Sequence, residues 1–314
     1  MFKEVVSAIE KSEKILIYPH KSVDGDCLGS AYALKLALLK TGRLAQVEYE
    51  PNEADNRIMK VIRDVEVAEF EPDLIIAVDC GDADRMGTRA ERFLKFENTV
   101  NIDHHGTNVG YAKVNYVDGK AAAAGEIIYD LLKYMNISID DDIANNLYVA
   151  ISSDTGGFAY SNTTHHTHSI AGELIGFDID FPAINAYLFR TKTYRELMLA
   201  KEALDTMEVL ADGKVASVTI TKEVVDKYDA KDSELGGLVD YPRSLDTVMI
   251  ALYFKEIDGG VKVSMRSTGT DVSAIAVKHG GGGHIRASGC TINKPLCEVK
   301  KMIYDDVLSE VNNA

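Results

Sequence analysis

Short apolar runs that end in Asp or His constrain this chain more than anything else in it. Thr99-Val100-Asn101-Ile102 runs straight into Asp103-His104-His105-Gly106. Ile15-Leu16-Ile17-Tyr18 runs into His20, Asp24 and Asp26. Leu74-Ile75-Ile76-Ala77-Val78 runs into Asp79. Each reads as a buried strand with polar side chains at its C-terminal tip, where open α/β sheets place their sites. A fourth apolar segment, Tyr148-Val149-Ala150-Ile151, leads to Asp154. It belongs to a helix that starts at Asp140-Asp141-Asp142, where acidic residues suit the dipole, and runs to about Ser152.

Between these runs the pattern is helical. The spacing predicts helices over 1–12, 31–40, 56–65, 88–96 and 121–135, and one after the Ser161–Thr164 cap. A further strand is predicted at 46–50. Strands alternating with helices predict an α/β domain with a doubly wound, mostly parallel sheet over residues 1–185. Residues 186–209 contain strong helix formers and neither Gly nor Pro, which predicts a helical linker. Residues 210–314 read as a smaller α+β domain. Its strands are predicted at 215–220, 248–255, 261–265 and 287–292, and its helices at 272–278 and 297–311. A glycine loop, His279-Gly280-Gly281-Gly282-Gly283-His284, precedes the last strand.

With 314 residues the chain is long enough for two separate cores. No stretch approaches the roughly 20 apolar residues of a membrane span. Met1-Phe2-Lys3-Glu4 lacks the pattern of a signal peptide. Cys27, Cys80, Cys290 and Cys297 show no C-x-x-C spacing and read as reduced thiols, which predicts a cytoplasmic protein. A net charge of -15 excludes a protein that coats long nucleic acid. Residues 259–304 are different: seven Lys or Arg face two acidic residues, a local patch suited to a small anion.

His20, Asp24, Asp26, Asp79, His104 and Asp154 supply four carboxylates and two imidazoles. Without a cation, carboxylates crowded together would repel and hold protons. Two divalent ions resolve this, and mixed oxygen and nitrogen ligands without thiolate favour Mn²⁺, with Mg²⁺, Co²⁺ and Fe²⁺ left open. A metal pair about 3.5–4 Å apart suits in-line attack on phosphorus. His165, His166 and His168 follow a cap in a helical pattern and read as a helix surface or as support behind the ligands, not as ligands themselves. In the second domain, the glycine run lets backbone N–H groups approach an anion, and Arg266 can hold a phosphate bidentately.

Together these motifs resemble the DHH phosphoesterase superfamily. The matching stretches are His20-Lys21-Ser22-Val23-Asp24-Gly25-Asp26, Val78-Asp79, Asp103-His104-His105 and Ser153-Asp154-Thr155-Gly156. Gly281-Gly282-Gly283-His284, with Arg266-Ser267 upstream, resembles the accessory DHHA1 domain. Chain length and motif order look most like the NrnA-like group of nanoRNases, pAp phosphatases and di-adenylate phosphodiesterases. Relatives often have a proline before Asp24, where this chain has Val23. The resemblance implies His20, Asp24, Asp79 and Asp154 around the metals, with Asp79 bridging and Asp26 and His104 on the other ion. It also implies His105 beside the scissile phosphate, Asp103 supporting it, and Arg266, Ser267, Gly281, Gly282, Gly283 and His284 on the nucleotide. The site is expected between the two domains. The expected enzyme hydrolyses short oligoribonucleotides to nucleoside 5′-monophosphates and pAp to AMP. It has no membrane or long nucleic-acid partner, and a homodimer is left open. Rival readings are a cyclic di-AMP phosphodiesterase, an inorganic pyrophosphatase and a non-catalytic nucleotide sensor.

Overall fold

The computed structural model describes residues 2–50 and 58–313. It divides into two compact units, Met1–Thr191 and Lys192–Ala314.

The first unit is built on a five-stranded sheet. Its strands are β1 (Lys14–Tyr18), β2 (Leu44–Val47), β3 (Leu74–Val78), β4 (Thr99–Asp103) and β5 (Val114–Val117). All neighbours are parallel, in the order β2-β1-β3-β4-β5. β1 and β3 are apolar runs, and β4 is one broken by Asn101, because both sheet faces are covered. Ile15 and Ile17 enter one core with Ile76 and Ile102, while Leu16 and Tyr18 enter another with Ile75 and Phe93. The order of connection reverses between β1 and β3, the place where open α/β sheets open a crevice at the strands' carboxyl ends.

Several local expectations shift. The helix expected at 31–40 begins at Gly25. Asp24 caps it, accepting from Cys27 N at 3.0 Å, and packing outweighs the low helix propensity of Gly25 and Gly29. β2 lies two residues earlier than expected, and the short edge strand β5 was not foreseen. The expected 121–135 helix is Ala124–Tyr134, and that ending near Ser152 is Asp141–Asp154, so Asp154 is its last residue. The expected 88–96 helix is Ala90–Lys95, preceded by a 3-10 segment, Ala83–Arg89. Of the expected 56–65 helix, residues 56 and 57 lie outside the described residues, and no helix continues over 62–65. There Asn146 bonds both backbone groups of Arg63, and Asn145 Nδ2 donates to Val61 O, drawing the segment into irregular structure.

Residues 186–209 are not one helix. A π-helical turn, Ala186–Arg190, ends the first unit. A new helix, Tyr194–Asp205, starts in the second, where Thr193 and Glu196 exchange side-chain to backbone hydrogen bonds.

The second unit holds a six-stranded sheet: β6 (Glu208–Leu210), β7 (Val215–Ile220), β8 (Ile250–Ile257), β9 (Gly260–Ser267), β10 (Gly282–His284) and β11 (Ala287–Ile292). The order is β10-β11-β9-β8-β7-β6, with only β7 and β8 parallel. Helices Val272–Lys278 and Leu296–Asn313 pack a core on one face through Val263, Met265 and Ile303. Part of the expected glycine loop is the edge strand β10. It pairs with β11, so half of that segment's backbone is committed to a hairpin.

Candidate metal centre

The proposed ligands converge at the carboxyl ends of β1, β3 and β4. His20 follows β1 and Asp79 follows β3. Asp103 ends β4 and His104 comes next. Two helices that pack on each other complete the set: Gly25–Lys40 brings Asp24 and Asp26 at its start, and Asp141–Asp154 brings Asp154 at its end.

Asp79 is the hub. Its Oδ2 lies 3.4 Å from His20 Nε2, and its Oδ1 lies 3.3 Å from His104 Nε2 and 3.5 Å from His105 Nδ1. Its backbone is left-handed, with φ of +58°, a conformation Asp reaches more easily than most residues. Neighbouring polar groups hold that turn. Asp79 N donates to Ile102 O at 3.0 Å. The Cys80 carbonyl accepts from Tyr111 OH at 2.9 Å and from the side-chain amides of Asn101 and Asn108 at 3.2 Å.

Around Asp79 the groups fall into two sets. His20 Nε2 is 3.4 Å from Asp24 Oδ2. On the other side His104 Nε2 is 3.4 Å from Asp154 Oδ2 and 3.7 Å from Asp26 Oδ2. His20 with Asp24 and Asp79, and Asp26 with His104 and Asp154, each offer donor atoms close enough together for one ion. Cys27 Sγ lies within the first set, but burial pushes its thiol pKa well up and it bonds to the Asp24 backbone. It is part of the helix cap. Asp26 is fully buried and doubly anchored: Ser30 Oγ and Gly125 N donate to Oδ1, and Ala124 N donates to Oδ2 at 2.6 Å.

Electrostatics show what the cluster lacks. Burial alone would lower the His104 pKa, but the carboxylates of Asp79, Asp26 and Asp154 outweigh it and raise it to about 10. His20 is likewise raised to about 9 by Asp24 and Asp79 against the effect of burial. Burial, then Asp24 and Asp79, push Asp154 up to about 6. Asp79 Oδ1 is buried with no hydrogen-bond partner among the described residues. Crowded carboxylates, histidines held as cations and an orphaned carboxylate oxygen are the signature of a place for positive charge, and the donor set fits divalent ions.

His105 borders this cluster. Its Nδ1 lies 2.7 Å from Asp103 Oδ1, and Asn108 Nδ2 donates to Asp103 Oδ2 at 2.6 Å. Asp103 is fully buried, and this pairing raises the His105 pKa. Asn101, Asn108, Tyr111 and Ser30 escaped the sequence reading. Only Asn101, a polar residue inside an apolar strand, carried a signal. His165, His166 and His168 lie on an exposed helix face, with His166 on Asp130 at 3.0 Å and His168 stacked on Phe158.

In the second unit the register places Arg266 opposite Ala287, and Ala287 opposite His284. Directly opposed residues share a sheet face, so Arg266 and His284 flank a small Ala287 on the face away from Met265. Gly282 lies on the same face, and an added Cβ there would meet nothing within 4 Å among the described residues. Gly281 and Gly283 serve the hairpin instead: added Cβ atoms would lie 2.1 Å from Gly289 O and 2.5 Å from Ala287 O. Ser267 is buried and its hydroxyl donates to Thr270 O, which removes it from the Arg266 face.

A family model described as the DHH family, N-terminal domain, matches residues 14–151, and one described as the DHHA1 domain matches residues 212–312. The chain is 32% identical to the probable bifunctional oligoribonuclease and PAP phosphatase NrnA of Streptococcus mutans, over 99% of this chain and 98% of that one. It is 31% identical to the bifunctional oligoribonuclease and PAP phosphatase NrnA of Thermus thermophilus, over 99% and 94%. An exopolyphosphatase-related protein from Bacteroides fragilis has the same fold, with a TM-score of 0.83 at 24% identity over 98% and 97% of the two chains. No helix among the described residues is long and apolar enough to cross a membrane.

Proposed function

The chain belongs to the DHH family and carries a DHHA1 domain, and from that premise we propose a Mn²⁺-dependent phosphoesterase that releases nucleoside 5′-monophosphates from short oligoribonucleotides and AMP from pAp. The observation that carries the reading is Asp79, which turns one carboxylate oxygen toward His20 and the other toward His104. Full-length relatives named as oligoribonuclease and PAP phosphatase support the substrate class.

His20, Asp24 and Asp79 would hold one ion, and Asp26, His104, Asp154 and Asp79 the other. When bound, divalent ions supply an activated water at neutral pH and positive charge for the phosphoryl oxygens. Asp26, fixed by two backbone N–H groups, keeps its side of the site rigid. Asp103 holds His105 by Nδ1, leaving the other ring nitrogen to meet a phosphate oxygen or the leaving group. Arg266 and His284 would grip the nucleotide through charge-assisted hydrogen bonds.

Purified protein in Mn²⁺, offered pAp and oligoribonucleotides of two to ten residues, tests the reading. The basic face is small and the chain carries -15, so kcat/KM should fall as substrates grow past about five residues. Hydrolysis should stop in chelator and return with metal. Equal or better cleavage of long strands would overturn the short-substrate reading.

Removing Arg266 probes the nucleotide grip. A lost charge-assisted contact costs roughly 1.5–3 kcal/mol, so Arg266→Ala should lower kcat/KM on pAp about ten- to a hundredfold with metal content unchanged. Bis-p-nitrophenyl phosphate, which has no nucleoside, should suffer much less. Equal losses on both substrates would assign Arg266 to the fold or the chemistry.

A further inference from the structure

After Asp154 the chain turns through three consecutive left-handed residues, Gly156, Gly157 and Phe158, with φ of +59°, +67° and +69°. A bulky residue held in that region is strained, and such strain is stored where it positions something. Backbone bonds lock this turn: Gly157 N donates to Ser152 O at 2.8 Å, and Tyr160 N to Thr155 O at 2.9 Å. Asn162 Nδ2 donates to the Asp154 carbonyl at 3.1 Å. The result is that Tyr160 folds back against Gly156, where an added Cβ would lie 2.4 Å from its ring. Phe189, in the π-helical turn, lies against Gly157, where an added Cβ would lie 3.3 Å from its ring. A π-helical turn is rare and occurs frequently at functional sites.

Both rings face solvent, Tyr160 at 61% and Phe189 at 38% exposure. A single exposed aromatic needs no explanation. Here two rings are seated on consecutive glycines, two and three residues from a proposed metal ligand, by a turn that is strained to put them there. Resting on the phosphoesterase reading above, we infer that Tyr160 and Phe189 form a stacking surface for the base of a nucleotide whose phosphate is taken up at the ion site that Asp154 borders. Gly156 and Gly157, which seat the rings, follow Asp154 by two and three residues, so their Cα atoms lie within roughly 11 Å of its own. Stacking on a ring face tolerates any base, since every base has a π-face. The surface therefore selects nucleotides over other phosphate esters without selecting among bases.

The test compares binding of AMP and of ribose 5-phosphate, which lacks the base, to the full chain in Mn²⁺ by calorimetry. The wild type should prefer AMP. Tyr160→Ala and Phe189→Ala should each cut that preference, on the order of 5- to 150-fold for a full stack. Tyr160→Phe, which keeps the ring, should retain it. A preference unchanged in both alanine variants overturns the inference, as do equal losses on both ligands, which would mark the rings as supports of Asp154. If ring-dependent AMP binding is found in a protein that cleaves no phosphoester, the assigned activity fails and the stacking surface stands. If AMP has no advantage in the wild type, the stacking surface fails and the hydrolytic assays decide the activity separately.

Discussion

Asp79→Asn should lose hydrolysis by about 10²–10³-fold or more, retain little bound metal, and melt no lower than the wild type. The activity loss follows from position. Among the described residues Asp79 is the carboxylate that faces both donor sets, and removal of one preorganised electrostatic contact at a reacting centre typically costs that much. The stability forecast follows from the backbone. At φ +58° the left-handed conformation costs most residues roughly 1–2 kcal/mol, while Asn adopts it routinely. Asn also removes a charge from a cluster where carboxylates raise one another's pKa. Asp79→Ala would mix strain with chemistry, so Asn is the cleaner probe. Steady-state kinetics, metal analysis and a thermal melt on one preparation suffice. Near-wild-type activity with unchanged metal content would sink the two-ion reading.

Gly29→Val should destabilise the first unit by about 3 kcal/mol or more, the top of the range for overpacking. Gly29 sits where the Gly25–Lys40 helix touches Asp141–Asp154. An added Cβ would lie 2.5 Å from the Asn146 carbonyl oxygen and 2.8 Å from Ala150 N. Backbone atoms cannot rotate away as a side chain can, so the helices must separate. For a unit of this size, 3 kcal/mol lowers the melting temperature by roughly 6–12 °C. The same separation pulls Asp24 and Asp26 from Asp154, so metal affinity should fall with stability. A Gly29→Val protein that melts with the wild type would show that the two helices can accommodate the added side chain without separating.

The parts of the site that were legible in the sequence lie on the central strands. β3 is apolar throughout, β1 is so after Lys14, and β4 is broken only by Asn101; the proposed ligands His20, Asp79 and His104 follow within two residues of the strand ends, so burial and chemistry were written in adjacent letters. β5 was not legible: it is a four-residue edge strand with alternate residues open, too short and mixed to stand out from a loop. The start of the Gly25–Lys40 helix was hidden because its glycines read as loop residues, and only packing explains them: Gly25 lies against Ser153, and Gly29 against Asn146 and Ala150. The same applies to β10, where four glycines suggested a free loop and close approach to β11 makes an edge strand. The Asn101, Asn108 and Tyr111 bonds to Cys80 were out of reach, since they depend on where the segment after His105 returns. Asp24, Asp26 and Asp154 were foreseen as ligands, but the helix contact that unites them was not.

The boundary at Thr191 has a consequence in time. Every proposed metal ligand lies before residue 155, and the first unit has its own cores, whereas Arg266 and His284 come much later. Domains fold as units during synthesis, N-terminal first, at about 5–20 residues per second, so residues 192–314 follow roughly 6–25 s after the first unit is complete. During those seconds the nascent chain carries every proposed metal ligand but neither Arg266 nor His284. The ribosome therefore delivers every proposed metal ligand, and both aromatic rings beside Asp154, before Arg266 and His284 exist.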